Sequence, residues 1–259
     1  MSADELTPAG IPTAALEVLC QAEVRVLGRM PWASNSTFLV RLVELGAEEP
    51  VEPPGTEIDP MADDRTYAIY KPVRGERPLW DFKPGLHRRE VAAFRLSEEL
   101  NFGVVPPTVL RHDAPLGEGS LQWFVRADHR QHYFTIAEHH PELHDQLQQI
   151  AVLDVLANNT DRKSGHCLLA GDRVWAIDNG LCFAADFKLR TVIWEFAGEP
   201  LTAAQRAAVA RIAERVPPGV ADLLDRDEVD ALRARADRLA ADGVLPGDDT
   251  GHRYPWPLV

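Results

Sequence analysis

One lysine and three carboxylates stand in this sequence where they can act together. Lys71 closes the apolar stretch Thr66-Tyr-Ala-Ile-Tyr-Lys, and Glu90 follows 19 residues later inside a helical pattern. Asp161 lies in the polar run Asn158-Asn-Thr-Asp-Arg-Lys-Ser-Gly-His, and Asp178 ends Trp175-Ala-Ile-Asp, directly before Asn179-Gly180. A lysine–glutamate ion pair aims an ammonium at phosphates. An aspartate at a strand end holds a divalent metal, and a second aspartate in a loop takes or orients a hydroxyl proton. Phosphoryl transfer asks for little more, because positioning and charge neutralisation supply most of the catalysis.

Each residue also has a plainer reading. Lys71 is of a type usually found on surfaces, Glu90 follows Arg88-Arg89 on what can be a solvated helix face, Asp161 sits in a turn-forming cluster, and Asp178-Asn-Gly is a common hairpin turn. Their order along the chain favours the chemical reading: Lys71 precedes Asp161 by 90 residues, and Asp161 precedes Asp178 by 17 with a hairpin between.

These residues need elements to position them. Residues 23–27 and 37–45 read as strands around the connection Gly28-Arg-Met-Pro-Trp-Ala-Ser-Asn-Ser, and residues 66–73 alternate as a third strand that Pro72 ends near Lys71. Between them, residues 48–64 hold four prolines and seven carboxylates without periodicity, the pattern of an exposed, mobile loop. Residues 86–101 carry a helical apolar pattern closed by Gly103, and 104–110 and 121–125 read as short strands. From about Pro141 a helix leads into the polar run 158–166. Strands at 167–170 and 173–177 then flank a Gly171-Asp172 turn, and helices at 202–216 and 225–242 are separated by Pro217-Pro218-Gly219. The expectation is an α+β chain of two lobes with its seam near 126–129.

Composition bounds the function. In 259 residues, 40 acidic against 27 basic side chains give a net charge of −13, which disfavours sequence-independent nucleic-acid binding but leaves room for a local basic pocket. No apolar run reaches the length of a membrane helix, and residues 1–11 lack a signal-peptide layout. Cys20, Cys167 and Cys182 make neither a disulfide framework nor a metal pattern, so the expected compartment is the cytoplasm. The histidines at 129, 132, 139, 140 and 144 are irregularly spaced and read as a solvated connection. Trp80 and Phe82 are expected to pack the following helix onto the strands, Arg88-Arg89 to face solvent, and Cys182 to be buried.

Asn159-Thr-Asp-Arg followed by Ile177-Asp-Asn-Gly-Leu-Cys-Phe resembles the catalytic and metal-binding motifs of type II phosphatidylinositol 4-kinases, and more broadly the phosphatidylinositol 3-/4-kinase branch of the protein-kinase-like fold. As a whole the chain is similar, over most of residues 20–240, to an actinobacterial family of that distant kind. The sharp motif match spans residues 158–183.

The resemblance implies an antiparallel-sheet N-lobe at 20–125 and a mainly helical C-lobe at 126–240. ATP and Mg²⁺ or Mn²⁺ would lie between them, and an alcohol group would accept the phosphate. Lys71 would bind phosphates with Glu90 as partner, Asp161 would be the catalytic-loop aspartate, and Asp178 would be the metal aspartate. Lys163 matches a lysine that protein kinases place two residues after that aspartate. Two positions depart from the kinase pattern. His166 stands where kinases carry a metal-binding asparagine, and either a ligand or a structural role fits it; imidazole prefers softer ions than Mg²⁺. The phosphate-covering turn has a single glycine, so Ser34, Asn35 and Ser36 would supply backbone N–H and hydroxyl donors. The acceptor stays open between a lipid, a protein and a small molecule. A protein serine/threonine kinase of the HipA kind and a nucleotide-binding pseudokinase regulator are the alternatives.

Overall fold

The computed structural model describes residues 14–31, 35–47 and 58–258. Residues 1–11, residues 48–57 of the acidic loop and Ser34 lie outside them. Within the described residues the chain runs α1 (Ala15–Gln21), β1 (Glu23–Arg29), β2 (Phe38–Val43), β3 (Tyr67–Pro72), α2 (Leu86–Glu99), β4 (Thr108–Arg111) and β5 (Gly119–Trp123). It continues with α3 (Tyr133–His139), α4 (His144–Ala157), the hairpin β6 (Cys167–Ala170) and β7 (Arg173–Ala176), then α5 (Ala203–Glu214), α6 (Pro218–Ala221) and α7 (Arg226–Asp242). The α+β order expected from the sequence is observed.

β1 to β5 form one antiparallel sheet in the order β1-β2-β3-β5-β4. In β3, Tyr70 is buried in the sheet's core, so Ile69 and Lys71 share the opposite face and both border the cleft. The end of β3 needs a close neighbour. Pro72 pairs with Gly119, and a Cβ at 119 would lie 2.5 Å from the Lys71 carbonyl oxygen, so glycine is what lets β5 approach the strand end that presents the lysine. Gly75 does the same a few residues further on: a Cβ there would lie 2.6 Å from Ser36 Cβ, and its absence lets Ser36 dock beside the end of β3.

Several boundaries shifted for local reasons. Pro106-Pro107 cannot join a ladder, and β4 starts only at Thr108 rather than at 104. Pro218, expected to break the chain, opens α6 at the first helical turn, where a missing N–H costs nothing. The seven-residue helices α1 and α3 were not anticipated.

Two apolar cores organise the molecule. One gathers the sheet, α1 and the outer side chains Ala170 and Trp175 of the β6–β7 hairpin. The other gathers α4, α5 and α7 with the inner face of the hairpin, and it includes Ala92, Ala93, Phe94, Leu96 and Leu100 of α2. α2 is buried on most of its circumference because it lies between β4 and β5 on one side and α4 and α6 on the other. Among the described residues no helix is long and apolar enough to cross a membrane.

Candidate active site

A cavity of about 410 Å³ opens between the sheet and the helical body, and Lys71, Glu90, Asp161, Lys163, His166 and Asp178 all line it. Lys71 Nζ donates to Glu90 Oε1 and, at 2.7 Å, to Asp178 Oδ1. One ammonium thereby joins a strand of the sheet, a helix of the second core and the turn after β7. Glu90 uses its other oxygen to accept the Asn179 N–H at 2.9 Å, so the carboxylate also fixes the backbone beside Asp178. Asp178 adopts a left-handed conformation (φ 57°), which aspartate tolerates better than most residues and which turns its carboxylate toward Lys71. Gly180 follows where a Cβ would press within 3.3 Å of Glu90 Oε1.

Asp161 and Lys163 form their own ion pair at 3.0 Å. His166 ends the short 3₁₀ turn Ser164–His166; its Nε2 is 3.5 Å from Asp178 Oδ2, and its Nδ1 accepts the Lys163 N–H at 3.4 Å. At the cleft mouth, Asn35 Oδ1 accepts the Arg77 N–H at 3.0 Å and the Ser36 N–H is given to Gly75 O at 3.1 Å. The backbone donor expected of Ser36 is therefore occupied, although both Asn35 and Ser36 line the cavity. Ser34 is outside the described residues.

The sequence reading missed what holds the loop in place. Arg162, wholly buried, clasps Asp154 of α4 through Nε and Nη2 and donates to Ile177 O at 2.7 Å and Asn179 Oδ1 at 2.6 Å. Asp154 also accepts from Asn159 and Thr191, while Asn159 Oδ1 accepts the Asp161 N–H at 2.9 Å. This network ties the turn bearing Asp161 to the turn bearing Asp178. Its signal was an aspartate on the apolar stripe of a helix, where only a buried partner makes a charge tolerable.

Two expectations, one about the segment before α2 and one about α2 itself, are corrected. Trp80 is 96% exposed and packs nothing onto the strands, whereas Phe82 sits under the cations of Arg89 and Lys188. Arg89 is buried against Glu228 rather than solvated. Cys182 is buried as expected, and burial raises its thiol pKa well above the ordinary value.

Electrostatics sharpens the roles open to each group. Burial disfavours the Lys71 ammonium, but Asp178 and Glu90 outweigh it and hold the pKa above the ordinary lysine range. Lys71 in turn depresses Asp178, keeping it ionised against burial. Burial raises Asp161, with Lys163 opposing in part. Burial lowers His166 to about 4, so its ring is neutral near pH 7 and retains a lone pair. Among the described residues no group of three or more His, Cys, Asp or Glu is placed to hold a metal. Asp178 offers an oxygen donor, and His166 Nε2 a nitrogen donor once its proton is on Nδ1, which fits a cation that completes its shell with phosphate oxygens and water.

An antiparallel sheet and a helical body closing on a lysine–glutamate–aspartate cluster make a two-lobed protein-kinase-like fold, and solved structures agree. The Golgi casein kinase with Mn and ADP bound superposes with a TM-score of 0.52 at 13% identity, over 94% of this chain and 79% of that one. The hydra Fam20 structure with sugar gives 0.51 at 14%, over 89% and 87%. These likenesses establish the fold and do not distinguish its lipid-kinase branch. The chain belongs to the family of protein Rv2133c of Mycobacterium tuberculosis (strain ATCC 25618 / H37Rv), with 36% identity covering 93% of this chain and 94% of that protein. No protein-family model matches the chain.

Proposed function

We propose that the protein is an ATP-dependent phosphotransferase that moves the γ-phosphoryl group to an alcohol acceptor. The observation that carries this reading is Lys71 held at once by Glu90 and Asp178 across the cleft. In the proposed assignment the sheet side, residues 20–125, binds the nucleotide and residues 126–240 carry the reacting groups. Lys71 neutralises phosphate charge, and Ser36 and Asn35 cover the phosphates from the β1–β2 turn. Asp178 holds the divalent ion with His166 as the second donor; an Nδ1 that accepts the Lys163 N–H leaves the proton on Nε2, so ligation requires the other tautomer. An imidazole there makes Mn²⁺ a better fit than Mg²⁺. Such an ion, when bound, neutralises charge on the phosphate oxygens.

Asp161 accepts the acceptor's hydroxyl proton as that oxygen bonds to the γ-phosphorus and the bond to ADP breaks. Lys163, within 3.0 Å of Asp161, stabilises charge on the transferring group. The acceptor is a hydroxyl of a lipid, as the phosphatidylinositol-kinase resemblance suggests, or of a protein, as the casein kinase of similar fold suggests, or of a small molecule. The test is calorimetry with ATP and Mn²⁺ or Mg²⁺, followed by incubation of γ-labelled ATP with cell lysate and partition of the label into lipid, protein and small-molecule fractions. Label in one fraction, lost with Asp178→Ala, supports the reading. Binding without transfer to any fraction supports the pseudokinase instead, and no affinity for adenine nucleotides with any cation overturns both.

A further inference from the structure

We propose that residues 253–258, which follow α7 and return to the site, are a positioning strap for the turn bearing Lys163 and His166. The segment touches two neighbouring stretches. Arg253 O accepts the Thr191 N–H at 3.1 Å and Trp194 Nε1 at 3.3 Å. Leu258 O accepts the Ser164 N–H at 2.8 Å. Thr191 bridges to Arg162 and donates to Asp154, so the first contact braces the buried network under Asp161. The second braces the 3₁₀ turn Ser164–His166 itself.

The end of that turn is anchored by the Ile177 N–H, which donates to His166 O at 3.0 Å, and its start depends on Leu258. The turn is three residues long, and the N–H of its first residue has no acceptor within it. Ser164 is wholly buried, so Leu258 O satisfies a main-chain donor that lies away from the surface. The strap is in turn fixed by side chains. The Arg253 guanidinium lies 5.1 Å from the Phe187 ring centroid, the Arg253 N–H donates to Asp248 at 2.9 Å, the Tyr254 ring packs edge-on to Trp194, and Pro255 is buried. None of residues 253–258 lines the cavity, which makes the segment a brace behind the turn rather than a plug in front of it.

The consequence for chemistry rests on the phosphotransferase reading. Without the strap, Lys163 loses its station beside Asp161 and His166 its station beside Asp178, whereas Lys71, carried by the sheet, keeps its own. The experiment compares the full chain with a variant ending at residue 252 and with a full-length variant carrying two glycines inserted after Tyr254. The insertion keeps the Arg253 contacts but displaces the Leu258 carbonyl. Both variants are expected to show faster amide hydrogen exchange across 163–167, to bind ATP without metal within about twofold of the full chain, to need more Mn²⁺ for half-maximal turnover, and to turn over about ten to a hundred times more slowly. A synthetic peptide of residues 246–259 restores some of the protection and turnover to the truncated chain, and a scrambled peptide does not. Exchange across 163–167 unchanged in whichever variant folds overturns the proposal. If the full chain itself transfers no phosphate, the proposed activity fails while the exchange comparison still decides the strap.

Discussion

Arg89 of α2 and Glu228 of α7, 139 positions apart in sequence, form an ion pair buried from solvent one residue before the glutamate that binds Lys71. Arg89 also donates to the carbonyls of Lys83 and Pro84, so the pair fixes both the start of α2 and its rotation. Removing one partner strands the other in the interior. Glu228→Ala should cost about 3–5 kcal/mol in urea unfolding, and Arg89→Met with Glu228→Leu should recover most of it. Equal stability of the single variant and the wild type would show that the pair carries no such load.

Asp161 is the base in the proposed reaction, and burial raises its pKa. The protonated carboxyl cannot accept a proton, so kcat/KM should fall as pH drops through a pKa above the ordinary aspartate value of 3.8. Lys163 opposes that rise, and Lys163→Met should move the acid limb to higher pH. Asp161→Asn should lower turnover by about 10²–10⁴ with the unfolding midpoint unchanged. A pH–rate profile of the wild type and the two variants checks all three.

His87 sits between two carboxylates, with Nδ1 2.6 Å from Glu76 and Nε2 3.0 Å from Glu118. Burial favours the neutral ring, but the two carboxylates outweigh it and raise the pKa above 6.5. The folded state therefore binds this proton more tightly, and its stabilisation is fully present below pH 6.5 and lost as pH rises through the raised value. Glu76 runs the other way. Burial resists ionisation, yet His87 and the N–H groups of His87 and Gly85 bring it to about 2, so its contribution holds above 4.5 and is lost as pH falls toward 2. Chemical denaturation should show His87→Gln losing more stability at pH 5.5 than at pH 9; an equal loss at both would refute the assignment.

Gly119→Ala should misplace Lys71, because the new methyl meets the backbone of β3, 2.5 Å from Lys71 O and 2.7 Å from Pro72 Cα. The expected loss is about 1–3 kcal/mol of stability, together with weaker ATP binding. Gly165→Ala, which meets nothing within 4 Å in the same cleft, is the control. Matching behaviour of the two variants would count against the close approach of β5 to β3.

What the sequence disclosed was local. Lys71 at the end of an alternating stretch, α2 from its apolar spacing, and the β6–β7 hairpin to within one residue all follow from patterns inside a dozen positions. The joint placement of Lys71, Glu90 and Asp178 was implied by the kinase resemblance, with which their order along the chain agrees, and the three side chains do meet. What stayed hidden depended on partners remote in the chain. Arg89 read as a surface charge because Glu228 lies on the last helix, and Arg162 drew no role because Asp154 and Asn179 come from separate elements. α1 and α3 are too short for periodicity to declare them, and tertiary packing makes them helical.

The helix that carries Glu90 is shared, since α2 packs on β4 and β5 with one side and on α4 and α6 with the other. Lys71 belongs to the sheet, and Asp178 to the turn beyond the β6–β7 hairpin. A single cation therefore sets the alignment of three separately folded pieces, and its removal would leave two carboxylates side by side without the charge they share.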